Sequence, residues 1–337
     1  MNGSRDGAVR IPDITDVLKA RKLLFGLARH TPLEYSHPLS DLAGARVYMK
    51  LENQQHAGSF KIRGAINKMY SLTEEERARG VITASSGNHA QGLATAAAML
   101  GTKAVICVPE TCPEAKTASV LARGGEYVDL RVTGAQYDDT ERTALRMAGE
   151  EKLTFVSAYE DTYIAAGQGT LALEMFLDEP ELDVIFCPLS GGGLLTGVAV
   201  AARALRPSAE LWGTMAKNNP SWPRAWDAGR VEPAEETDSI ADALGGSASP
   251  KLFDFIRRNV TGIAGISEED IAKAMTFVHK NHHLVIEGAA GTAVAALTSG
   301  KADIKGKRVG VVISGGNVDD SKFIGILSEA GSRAQAR

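Results

Sequence analysis

Aromatic residues make up only 6% of this 337-residue chain, cysteine occurs three times, and 41 acids nearly balance 37 bases. Each shortage closes off a class of protein. With a net charge of −4 and no run of lysine or arginine, there is no electrostatic footprint for nucleic acid. Cys107, Cys112 and Cys187 are an odd number without Cys-x-x-Cys spacing. That argues against a disulfide scaffold and points to a reducing cytoplasm. No apolar run reaches the roughly 18 residues a membrane-spanning helix needs. Residues 1–6 hold no apolar signal core. Internal repeats and low-complexity linkers are also missing.

What the chain has is glycine, 35 residues of it, in a composition 44% hydrophobic and 23% charged. This is a folded composition, rich in backbone turns and close approaches. The length suits about two domains or one large α/β unit. Apolar runs at 46–50, 81–84, 103–108, 127–130, 155–158, 183–188, 211–214 and 308–314 read as buried strands. Segments 91–100, 139–152 and 170–177 have helical spacing. Strands alternating with helices predict parallel sheets, which bind ligands beyond the carboxyl ends of their strands. Residues 220–223 and 245–250 read as turn clusters, and the tail 332–337 as frayed.

Four segments combine a strand end with a polar or glycine-rich turn. In Gly58-Ser59-Phe60-Lys61, a helix is expected to start near Ser59. Lys61 then sits at the positive end of a helix dipole, which favours the neutral amine of Schiff-base chemistry. Taken alone, Lys61 reads as a solvated surface residue. Ser85-Ser86-Gly87-Asn88-His89 precedes an alanine-rich helix and serves either as an anion-binding helix start or as an N-cap. Ser190-Gly191-Gly192-Gly193-Leu194 follows an apolar strand; it wraps an anion or is a flexible loop. It is not a Walker loop, because no Gly-Lys-Ser/Thr follows. Ser314-Gly315-Gly316-Asn317 ends the last strand.

Other features have plain readings. Gly167-Gln168-Gly169-Thr170-Leu171-Ala172 fits a dinucleotide pattern, but no convincing strand precedes it and no acid follows at the required distance. His279, His282 and His283 lack a partner cluster for a metal. Cys187 reads as core, and Asp138-Asp139 as a helix start.

In this order the four segments resemble the fold-type II pyridoxal-phosphate enzymes, above all the threonine/serine dehydratases and serine racemases. His30-Thr31-Pro32-Leu33, Gly167-Gln168-Gly169-Thr170 and Glu287-Gly288-Ala289-Ala290 are similar to further landmarks, so the likeness spans residues 14 to 328. It implies an α/β fold of the tryptophan synthase β type, with two parallel-sheet, Rossmann-like domains and pyridoxal 5′-phosphate in their cleft. Residues 1–75 plus 160–337 would form the large cofactor-binding domain, and 76–159 a small mobile one. Lys61 would bind the cofactor and remove the substrate's Cα proton. Asn88 would meet the ring hydroxyl, and Gly191, Gly192, Gly193 and Leu194 the phosphate. Ser314 would face the ring nitrogen. Ser85, Asn88 and His89 would hold the substrate carboxylate. Ser86 is either the acid/base of the face opposite Lys61 or an N-cap.

The activity implied is loss of water from a β-hydroxy amino acid of threonine or serine type, giving a 2-oxo acid and ammonia. The alternatives are amino-acid racemisation, or dehydration of a 3-hydroxyaspartate or hydroxyectoine-derived substrate. The resemblance also implies a homodimer, with no nucleic-acid or membrane partner. Two departures matter. Relatives often have four glycines in the phosphate loop, where this chain has three. Gly213-Thr214-Met215 stands where many relatives carry an acidic metal ligand. A thioether cannot replace a hard oxygen donor, so no metal is expected. Both departures, with Ala241-Asp242-Ala243-Leu244-Gly245-Gly246, are similar to the hydroxyectoine-utilisation dehydratases. The short stretch after Ser314 leaves no room for an allosteric C-terminal domain.

Overall fold

The computed structural model describes residues 10–235 and 237–335. The expected lack of a signal core at 1–6 therefore lies outside the described residues. Among the described residues ten strands build two sheets: β1 (Leu33–Tyr35), β2 (Arg46–Leu51), β3 (Val81–Ala84), β4 (Ala104–Val108), β5 (Val128–Val132), β6 (Thr154–Phe155), β7 (Val184–Pro188), β8 (Glu210–Ala216), β9 (Gly262–Ile266) and β10 (Arg308–Ile313). The larger sheet runs β1-β2-β10-β7-β8-β9 and the smaller β5-β4-β3-β6. All pairings are parallel except β1 with β2. Every residue of β4 and β7 is buried, as expected of strands covered by helices on both faces.

The α/β class with two sheets agrees with the expectation. Four details differ. β1 and β9 have no counterpart in the sequence reading, and the strand expected at 155–158 shrinks to Thr154–Phe155. The turn expected at 220–223 opens helix Ser221–Ala228, since proline is tolerated in a first helical turn. The C-terminal helix Asp320–Gln335 occupies most of the tail expected to fray; residues 336 and 337 lie outside the described residues.

Helix Thr162–Asp178 is buried from Ile164 through Phe176. It crosses helices Lys61–Tyr70 and Gly193–Leu205 at closest approach through glycine. A Cβ on Gly167 would stand 2.6 Å from the Gly64 Cα, and one on Gly197 would stand 2.3 Å from the Ala165 carbonyl. The GxGxxA pattern is thus a packing seam, not a nucleotide loop.

The same helix anchors the one that begins at Lys61. The Arg63 guanidinium donates to both oxygens of Glu52 and both of Glu174, at 2.8 Å in each bond. Lys50 Nζ donates to Glu174 at 2.7 Å. All four side chains are buried. Removing one member of such a cluster typically costs about 3–5 kcal/mol, because a buried charge is left uncompensated. Lys61 therefore sits two residues from a fixed point.

Candidate active site

The four segments all lie beyond the carboxyl ends of parallel strands: β2, β3, β7 and β10. Main-chain bonds tie the first to the last. Phe60 N donates to Ser314 O at 3.0 Å, and Gly316 N to Gly58 O at 2.9 Å. Ser59 and Gly315 form an isolated bridge. Lys61, the first residue of its helix, is thereby held next to the Ser314 turn.

The Lys61 side chain is half-buried, and its amine donates to Ala158 O at 2.9 Å. Burial pulls its pKa down to about 8, against a smaller opposing pull from Glu287. A substantial neutral fraction near pH 8 is the condition for nucleophilic and base chemistry. Glu287 is itself buried, and burial raises its carboxyl to about 7 although the Asn88 hydrogen bond favours ionisation.

Asn88 opens helix Asn88–Leu100. Its Nδ2 donates to Glu287 Oε1 and Oε2, both at 2.9 Å. Its Oδ1 accepts from Asn317 Nδ2 at 2.7 Å. Ser85 Oγ accepts from Gly87 N at 3.3 Å, so this hydroxyl braces its own turn. Ser86 is not the N-cap expected as one of its two readings: that position is Gly87, with no side-chain cap bond. The His89 imidazole is buried, with Nε2 3.2 Å from Val156 O. Burial, then the nearby Lys61, push its pKa down to about 3, so the ring is neutral. With Nε2 donating to Val156, Nδ1 has no proton to offer a carboxylate. The anion-binding group His89 presents is then its main-chain N–H, in the first helical turn where such groups lack intrahelical acceptors.

The Gly191–Gly193 stretch joins β7 to helix Gly193–Leu205, and Gly192 takes φ +102° at the helix cap. A Cβ on Gly191 would stand 2.4 Å from the Tyr159 ring, and one on Gly193 would stand 2.8 Å from the Tyr159 Cα. Tyr159 follows Ala158, the residue that accepts from Lys61. The glycine loop and the lysine thus share one wall. Trp222 Nε1 bonds Ser190 O, and Ser190 Oγ donates to Gly245 O at 3.1 Å.

The Ser314 Oγ is buried and has no hydrogen-bond partner among the described residues; the same is true of Ser59 Oγ. A buried hydroxyl without a partner is costly and rare enough to mark a missing group. A ring nitrogen near Ser314 and a phosphate at the glycine loop fit these donors. The residues present therefore suit pyridoxal phosphate.

Glu287, Asn317 and Tyr159 also belong to this cleft, and none was singled out as a site residue from sequence. Among the described residues no His/Cys/Asp/Glu group could hold a metal, and His279 and His282 lie along helix Glu268–His282. Met215 is fully buried in the core. Cys187 is buried, and Asp138 and Asp139 lie in the first turn of helix Tyr137–Glu150. No helix among the described residues is long and apolar enough to cross a membrane.

Comparison with known proteins agrees with this geometry. Residues 24–315 match the family described as pyridoxal-phosphate dependent enzyme. An L-threonine ammonia-lyase of Thermotoga maritima is 38% identical over 94% of this chain and 78% of its own. An L-threo-3-hydroxyaspartate ammonia-lyase of Saccharomyces cerevisiae is 35% identical over 94% of this chain and 97% of its own. The structure of maize serine racemase superposes with a TM-score of 0.89 at 29% identity, covering 97% of this chain and all of that one. The lysine, the orphaned serine and the glycine loop therefore have a common explanation, and this chain belongs to the fold-type II family of pyridoxal-phosphate dependent enzymes.

Proposed function

We propose that the protein is an ammonia-lyase that removes water from a β-hydroxy amino acid and releases a 2-oxo acid and ammonia. The observation that carries this reading is the half-buried Lys61 amine, held by main-chain bonds beside the unpartnered Ser314 hydroxyl. Names of the relatives support the reaction class: two are ammonia-lyases of hydroxy amino acids.

The residues divide the work as follows. Lys61 would hold the cofactor, and its free amine would take the substrate's Cα proton on Nζ. Gly191, Gly192, Gly193 and Leu194 hold the cofactor phosphate through N–H groups at a helix start. Asn88 meets the ring hydroxyl. The main-chain N–H groups of the 85–89 turn hold the substrate carboxylate. When bound, pyridoxal phosphate supplies the electron sink that acidifies the Cα–H bond. Ser314 at the ring nitrogen offers a hydroxyl, which cannot keep that nitrogen protonated as a carboxylate would. A weaker sink would favour early departure of the β-hydroxyl, which would leave as water with the proton that Lys61 took from Cα. The enamine released tautomerises to an imine, and one water then hydrolyses it to the 2-oxo acid and ammonia.

Racemisation is the second reading, favoured by Ser86 and by the likeness to a serine racemase. The test is a panel of L-threonine, L- and D-serine, 3-hydroxyaspartate and hydroxyectoine-derived acids, assayed for 2-oxo acid and for enantiomer exchange. Formation of 2-oxo acid from a β-hydroxy acid is expected; enantiomer exchange without it would overturn the lyase reading.

Residues 1–75 with 160–337 form the large domain in this reading, and 76–159 a small domain that moves over the substrate. The distribution of strands supports it, since the smaller sheet falls wholly between Val81 and Phe155. A cytoplasmic homodimer completes the proposal. No divalent metal enters it. The Met215 thioether is buried, and the nearby Asn219 Nδ2 already donates to Leu244 O at 2.6 Å. Chelation is expected to leave turnover unchanged. Loss of most activity, restored by Mg²⁺ or Ca²⁺, would refute that.

A further inference from the structure

We infer that Asn317 is a positioning residue that fixes which end of the Asn88 carboxamide faces each neighbour. The argument starts at a group with no choice. Ala57 O is a main-chain carbonyl and can only accept. Asn317 Nδ2 stands 2.9 Å from it and 2.7 Å from Asn88 Oδ1. With its amide nitrogen committed to Ala57, Asn317 must present a donor to Asn88. The Asn88 atom opposite must therefore be its oxygen, which turns Nδ2 onto both carboxyl oxygens of Glu287. Direction passes along the chain from Ala57 through Asn317 and Asn88 to Glu287.

The local backbone is shaped for this. Gly58 has φ +69°, and a Cβ there would lie 2.4 Å from Asn317 Oδ1. A Cβ on Gly315 would lie 2.7 Å from Glu287 Oε1. Both ends of the relay are thus pressed against glycine main chain. Asn88 and Glu287 are buried, which raises the electrostatic weight of each bond. Asn317 contacts Ala57 and Asn88 and acts through Asn88. The inference rests on the proposed placing of Asn88 at the cofactor ring.

Asn317→Asp is the discriminating change. It keeps the shape but sets a carboxylate against two acceptors, Ala57 O and Asn88 Oδ1, so the Asn88 amide must turn over. The experiment is a double-mutant cycle on the cofactor-loaded protein with Asn317→Asp, Asn88→Ala and the pair. It reads kcat and KM separately, cofactor dissociation, and the absorption band of the bound cofactor. Asn317→Asp alone is expected to shift the band and to lower kcat/KM about 10- to 100-fold, the scale of a disrupted buried hydrogen bond. In the Asn88→Ala background the same change is expected to cost less than about twofold. Additive effects, or an unmoved band, would overturn the inference. Should Asn317→Asp not fold, Asn317→Ala carries the same cycle with the same two outcomes. Failure of the underlying reading looks different: Asn88→Ala would then leave both the band and the cofactor affinity of the otherwise unchanged protein untouched.

Discussion

Lys61→Ala is expected to abolish steady turnover, by at least about 10⁴-fold, while the protein still folds. The amine has two roles, cofactor attachment and removal of the Cα proton, and loss of a positioned base alone costs about 10²–10⁴. Stability runs the other way. In the unfolded chain this lysine has its ordinary pKa of 10.5, whereas burial holds it at about 8 in the fold. The unfolded state therefore binds the extra proton between those values, and stability of the cofactor-free protein rises with pH across that window. Below about pH 8 the burial penalty is present in full. Lys61→Ala removes it, so the cofactor-free variant should melt within a few degrees of the cofactor-free parent at neutral pH. Borohydride reduction of the loaded parent, followed by peptide mapping, should place the cofactor adduct on Lys61. An adduct on another lysine, or none after incubation with pyridoxal phosphate, sinks the assignment.

The lysine could be found from sequence because its signal is local. A strand, a glycine turn and a helix start lie within 16 residues of chain, and the same holds at Asn88, Gly191 and Ser314. Strand β3 appears at the residues expected because Gly80 and Ser85 punctuate a continuous apolar run. Strand β9, Gly-Ile-Ala-Gly-Ile, was hidden by two glycines, which weaken any strand pattern. Its order comes from pairing with β8. Helix Thr162–Asp178 begins earlier than its apolar spacing suggests, because Asp161 caps it by accepting from Tyr163 N and Ile164 N. The site residues that escaped notice depend on distance along the chain. Glu287 meets Asn88 across 199 positions and Asn317 across 229. Nothing local distinguishes such a glutamate from a helix cap, which it also is. Tyr159 is revealed only by the absence of side chains on Gly191 and Gly193 opposite it.

Elimination and racemisation part company at Ser86. Racemisation needs a proton delivered to Cα from the face opposite Lys61, and Ser86 is the hydroxyl the family likeness assigns to that face. Gly87, not Ser86, is the N-cap of helix Asn88–Leu100, with no side-chain cap bond, so the Ser86 hydroxyl is not committed to capping. Ser85, by contrast, is committed to its own turn through Gly87 N, which leaves Ser86 the freer of the two. Ser86→Ala removes the opposite-face donor and leaves Lys61 to take the Cα proton. Water loss from the L-enantiomer should persist within a few-fold, because departure of the β-hydroxyl needs no proton on that face. Enantiomer exchange, and elimination from the D-enantiomer, should fall by about 10²–10⁴. The two rates are measured on one enzyme preparation, by 2-oxo acid release and by chiral separation of the remaining amino acid. If both activities fell together, Ser86 would be shaping the turn that carries Asn88, and the division of labour between two faces would be wrong for this protein.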